Sequence, residues 1–205
     1  MAPEEPLIPD LDWLAASGPV DDSWLGPGPA QVNLRPWMER LARIGHANLV
    51  AATYAAARLA CRHWNHWLAT APEFARESIL DGQPPTDQLA AVARWLDSPT
   101  AEHKNLALGT VDRTKQLHWF HEEYSDAWFD VPGMWAVESS EYCVLSLTGD
   151  PYYDAPLAEL AAISVSCAVN SFRTSADDDI RDSLGMVVDA IRRQLQPSTK
   201  DASGP

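Results

Sequence analysis

Cysteine, lysine and long apolar runs are all scarce in this chain, and each shortage excludes something. Only three cysteines occur, Cys61, Cys143 and Cys167, odd in number and far apart. No disulfide framework is expected from them, and a reducing compartment is. No stretch approaches the roughly 18 apolar residues of a membrane span. The opening residues MAPEEPLIPD have no basic segment followed by an apolar run, so no secretory signal is read and a cytoplasmic location is expected. Basic side chains number 15 against 29 acidic ones, a formal net charge of −14. That balance argues against nucleic acid and against an anionic membrane surface, both of which are held through Lys and Arg. It favours another protein as partner, a basic one, because opposite potentials speed encounter and suppress wrong pairings. Three of the basic residues are lysine (Lys104, Lys115, Lys200), which with abundant alanine suggests a GC-rich bacterial gene. The Gly-x-x-x-x-Gly-Lys, Gly-x-Gly-x-x-Gly and Gly-x-Ser-x-Gly signatures are missing as well. The chemistry of those phosphate, dinucleotide and hydrolase sites therefore has no support, and no cofactor is expected.

Proline, by contrast, is plentiful at one end: seven of the 16 lie at or before Pro36. Segments such as GPGPA continue neither a helix nor a central strand, so residues 1–35 read as a flexible, disordered, Pro-rich acidic tail. Within it a small pattern occurs twice, DWLAASGP at 12–19 and DSWLGPGP at 22–29. A Trp-Leu pair in an acidic segment is suited to a partner's groove, which makes Asp12, Trp13, Leu14, Asp22, Trp24 and Leu25 candidate partner-binding residues. The plainer reading is that both tryptophans fold back onto the protein's own surface.

From Pro36 to residue 196 the chain reads as one all-α domain, a multi-helix bundle of about six helices. Residues 197–205 form a polar, disordered tail. A long helix is expected over 46–70, with Val50, Tyr54, Ala57, Cys61, Trp64 and Leu68 at alternating spacings of four and three turned to the core. Ala52, Ala55, Ala56 and Leu59 on its far side offer small side chains to a second helix. Further helices are expected over 86–97 and then from SPTAEH at 98–103 to about 129, with Gly109 as a candidate interruption, Ser98 as cap and Pro99 in the first turn. Residues 132–147 are ambiguous: EYCVLSLT has strand-like composition, and it is read as helix on its flanks. A turn at TGDP (148–151) precedes helices over about 156–174 and 176–195. The last carries Ile180, Leu184, Val187, Ile191 and Leu195 on one face.

Two stretches invite a metal reading. CRHWNHW at 61–67 and HWFHEEY at 118–124 each carry histidines three apart, His63 with His66 and His118 with His121, which share a helix face. Measured from Val50 at 100° per residue, His63 and His66 fall near about 220° and 160°, away from the core stripe of their helix. His121 and His118 lie about 40° and 100° from the stripe of theirs, which begins at Leu117. The two pairs do not point alike, and no glutamate stands three residues before any histidine, as carboxylate-bridged sites require. No metal site is expected, and a histidine-dependent metalloenzyme remains the third reading. DDIRD at 178–182 matches the Asp-Asp-x-x-Asp pattern of magnesium-diphosphate binders, but it falls at a helix start, where carboxylates oppose the positive end of the dipole without any ligand. Cys61 lies in an apolar stripe and reads as a packing thiol. No catalytic residue is expected.

The run from Ala57 to about Leu108 contains AARLACRHWNHWL, a proline-punctuated loop and QLAAVARWLDSPTAEHKNLAL. It resembles a group of immunity proteins from bacterial polymorphic toxin systems, through Cys61, Trp64, Pro84, Ala90, Ala91 and Trp95. The resemblance covers about a quarter of the chain, and the histidines of the family's later part are missing from AELAAISVSCAVNSF. What it implies is a helical, non-catalytic protein that neutralises a toxin by binding it. An adaptor that docks a partner through the Trp-Leu segments is the alternative.

Overall fold

The computed structural model of the chain describes residues 6–15, 34–70, 84–111, 131–151, 154–172 and 180–196. All regular structure among these residues is helical. In chain order the elements are α1 (Leu11–Ala15), α2 (Leu34–Ile44), α3 (His46–Thr70), α4 (Pro84–Asp97), α5 (Ala101–Leu108), α6 (Val131–Thr148), α7 (Leu157–Asn170) and α8 (Ile180–Leu195). The eight exceed the six or so expected, partly because α1 lies in a stretch read as tail.

The sequence of α3 explains why it sits at the centre. Its expected stripe buries Val50, Ala57, Cys61 and Trp64, and its opposite side buries Ala52, Ala55 and Ala56 as well. A helix whose second face is alanine lets neighbours approach closely on both sides. α3 accordingly packs against α2, α4, α6, α7 and α8. Trp64 and Trp67 stack near its C-terminal end, ring centroids 5.0 Å apart and planes 23° from parallel.

The ambiguous EYCVLSLT segment is the second half of α6, a helix. Three of its serines reach three different neighbours. Ser139 Oγ donates to the Ser164 carbonyl of α7 at 2.8 Å, and Ser164 Oγ returns a bond to the Ser139 carbonyl at 2.7 Å. Ser140 Oγ donates to Gln88 Oε1 of α4 at 2.6 Å. Ser146 Oγ lies 3.1 Å from Thr53 Oγ1 of α3, while His46 Nε2 donates to the Ser146 carbonyl at 3.1 Å. A helix buried on several sides with no one-sided apolar stripe leaves its period unmarked, which is why this segment was ambiguous in sequence; the helical reading is the one the structure has. It ends at Gly149, whose φ of 81° and N–H bond to the Leu145 carbonyl at 2.8 Å form a left-handed cap inside the expected TGDP turn.

One cap differs from expectation, and one helix stops at its candidate interruption, Gly109. The restart before α5 is capped by Thr100, not Ser98: Thr100 is extended and its side chain accepts from His103 N at 3.1 Å. The Ser98 carbonyl serves the same histidine from the other side, accepting from Nδ1 at 2.8 Å. The helix then stops at Leu108, before Gly109, and most of its expected continuation to 129 lies outside the described residues.

Residues 6–15, expected as part of a flexible tail, pack on the helical body. Asp10 caps α1 by accepting from the Asp12 N–H at 2.8 Å. Trp37 Nε1 of α2 donates to the Leu7 carbonyl at 3.0 Å, and Arg40 donates to the Pro6 carbonyl at 3.1 Å. Leu14 is 0% exposed, and Leu11 reaches Gly185 of α8, where an added Cβ would meet it at 3.7 Å. Proline density at 1–35 hid an element only one turn long that stays folded through its contacts with α2 and α8. Leu14→Ala is expected to lower stability by about 2 kcal/mol in urea denaturation, with earlier proteolysis near residue 15, because its buried side chain has no other site to fill.

Candidate functional site

The thiols come first, as the strongest nucleophiles in the sequence. All three are buried. Burial pushes Cys143 up to about 12, against a partial pull downward from the Thr53 hydroxyl. Burial also raises Cys61, with Thr86 opposing, and raises Cys167, where the charge of Glu138 adds to the effect. Cys167 Sγ donates to Glu138 Oε2 at 3.6 Å, a contact that needs the proton. A thiol held protonated is neither nucleophile nor metal ligand. On unfolding, each thiol returns toward its ordinary value of 9.0, so above that pH the unfolded chain releases protons that the folded chain keeps. The stability Cys143 confers is complete below about pH 9 and is lost as pH rises toward 12, and the other two thiols act in the same direction. The unfolding free energy from urea titration is expected to fall between pH 8 and pH 10 by on the order of 1 kcal/mol through Cys143, with Cys143→Ala flattening the slope.

The described histidines lie apart from one another. His63 packs edge-on against Phe172 (4.7 Å, 78°), His66 is exposed, and His46 lies 5.4 Å from the Trp95 ring. His118 and His121 lie outside the described residues, and so do Asp178 and Asp179 of the DDIRD segment. Among the described residues no three His, Cys, Asp or Glu side chains gather as a metal would require. Of the candidate partner-binding residues, Asp12 is exposed and pairs with Arg181 at 2.8 Å, a contact worth at most about 1 kcal/mol in water. Trp13 is 37% exposed with Arg40 over its ring at 5.5 Å, and Leu14 is buried against the chain's own core. Asp22, Trp24 and Leu25 lie outside the described residues.

A different group does converge. Between α3 and α8 a cleft of about 330 Å³ has Ala55, Leu59 and Ala190 among its lining residues, and Arg58, Arg62 and Arg193 line it too. Arg58 and Arg62 stand four apart on α3, and Arg193 comes from the last turn of α8. The Arg62 guanidinium sits over the Phe172 ring at 4.3 Å, with Met186 Sδ 4.0 Å away, and Arg58 lies over Tyr54 at 5.7 Å. Aromatic faces hold guanidinium planes in place without using up their N–H edges. None of the three arginines has a carboxylate partner among the described residues. The one acid four residues from Arg193, Asp189, is bonded to Arg192 instead.

This cleft went unread in the sequence, although part of its signal was present. Over its 25 residues α3 contains two arginines and no aspartate or glutamate, in a chain with 29 acids. The third arginine could not be placed beside them without the fold. Comparison of the chain with family models, curated proteins and solved structures finds no match.

Proposed function

We propose that this chain is a non-catalytic protein-binding module of the immunity type, which neutralises a cognate basic toxin by direct contact. The observation that carries this reading is the charge of −14. A surface with twice as many acids as bases attracts a cationic partner from a distance and can place carboxylates where that partner would hold phosphate. The burial of all three thiols agrees with a role in contact. So does the resemblance of residues 57–108 to toxin-neutralising proteins. In the adaptor reading the Trp-Leu segments recruit the partner. With Leu14 committed to its own core, that reading rests on Trp24, Leu25 and the exposed edge of Trp13.

The test is affinity capture with the full chain from its native cell, followed by co-expression with whatever co-purifies. The expected result is a basic protein that is toxic when expressed alone and harmless beside this chain, with capture weakening as salt rises. Recovery of acidic partners only, or toxicity that persists on co-expression, overturns the proposal. Trp24→Ala with Leu25→Ala leaves capture intact if the helical body is the recognition surface. Loss of capture by a folded variant assigns recognition to the segment.

A further inference from the structure

The arginine cleft carries an inference independent of the toxin reading. Arg58 and Arg62 are like charges at a helical spacing of four, an arrangement that opposes the helix where no opposite charge relieves it. Arg193 brings a third positive charge to the same cleft, and the nearest helical acid is turned to another arginine. Residues 36–196 hold 13 basic and 22 acidic side chains, so the helical domain that carries this cleft is itself acidic. Three guanidiniums in one cleft, without a carboxylate partner among the described residues, thus stand apart from the charge pattern around them. Local features that oppose stability with no structural return mark functional positions.

The chemistry of the lining selects the ligand. A guanidinium offers a planar fork of N–H donors that matches oxyanions in bidentate fashion. A single planar carboxylate engages one fork, whereas the tetrahedral oxygens of a phosphate can face several at once. Ala55, Leu59 and Ala190 offer apolar surface for the carbon part of a ligand. Size and field exclude a long polyanion: beyond the cleft it would run along a chain of charge −14. A small ligand confined to about 330 Å³ sees chiefly the arginines, because more distant charges are screened over about 10 Å at 0.1 M salt. We infer that the α3–α8 cleft is a binding site for a small phosphorylated molecule, held through Arg58, Arg62 and Arg193.

Calorimetric titration of the full chain with inorganic pyrophosphate at low salt tests this, with citrate as the carboxylate comparison. The expected result is saturable one-to-one binding, weakened at least tenfold by Arg58→Gln with Arg62→Gln. Arg193→Gln, on the other helix, is expected to weaken it as well. Arg43→Gln, an exposed arginine outside the cleft, is expected to leave it unchanged. The altered arginines are exposed, so the variants are expected to keep the helical circular dichroism of the parent. Absence of saturable pyrophosphate binding, tighter binding of citrate, or an equal loss in Arg43→Gln overturns the proposal. Because no protein partner enters the titration, its failure leaves the toxin reading untouched.

Discussion

Trp64→Ala is expected to lower unfolding free energy by about 3–5 kcal/mol, a large share of what a domain of this size has. The side chain is 0% exposed, stacks on Trp67, and lies in the helix that five others pack against. One turn back on α3 its neighbours are Ala60 and Cys61, side chains too short to move into the space an indole vacates. The void therefore persists, and the loss combines the removed apolar burial with the cavity left behind. Trp64 Nε1 is buried without a hydrogen-bond partner among the described residues, so Trp64→Phe gives up no polar contact there and removes a desolvated donor. Phenylalanine should restore most of the stability lost with alanine. Urea denaturation followed by far-ultraviolet circular dichroism measures both, since tryptophan fluorescence changes with the substitution itself. A loss below about 1.5 kcal/mol for Trp64→Ala would mean that α3 does not hold the core at this position.

Ser164→Leu is the second large effect, expected at about 3–4 kcal/mol from overpacking together with a lost hydrogen bond. Ser139 and Ser164 exchange side-chain bonds to each other's backbone carbonyl, and both are fully buried. That reciprocity requires α6 and α7 to lie close together, and leucine must either push them apart or leave its rotamer wells. Ser164→Ala keeps the spacing and removes one bond, for about 1 kcal/mol. The order of the two variants decides the matter. In a loose seam the added apolar area of leucine would make it the better substitute, and a leucine variant more stable than the alanine one would refute the close approach.

Both experiments bear on how much of this molecule is legible without its fold. α8 was read nearly residue by residue, and Leu184, Val187 and Ile191 are buried as its four-three-four spacing requires. A helix with one face in the core and one in water records that division in its own sequence. α3 is buried on two faces and was legible for another reason: its large apolar side chains form one stripe, and its opposite alanine face was anticipated as a packing surface. α6 gave no such division, because neighbours surround it and its serines are turned to α3, α4 and α7. α1 was obscured differently. A five-residue helix in a proline-rich stretch has too little periodicity to detect, and it is stable only where Leu14 finds a cavity.

The candidate site follows the same division. Arg58 and Arg62 are neighbours by helical spacing alone, visible to anyone who counts four residues along an acid-free segment. Their meeting with Arg193 depends on α8 returning to lie beside α3. By itself the sequence determined the helical class, the edges of the one-sided helices and the net charge of −14, because periodicity and composition are local or summed properties. Only the tertiary structure decided which serine bonds which helix, that Leu14 belongs to the core, and that three arginines line one cleft. Those are contacts between distant segments, and nothing in either segment alone records its partner.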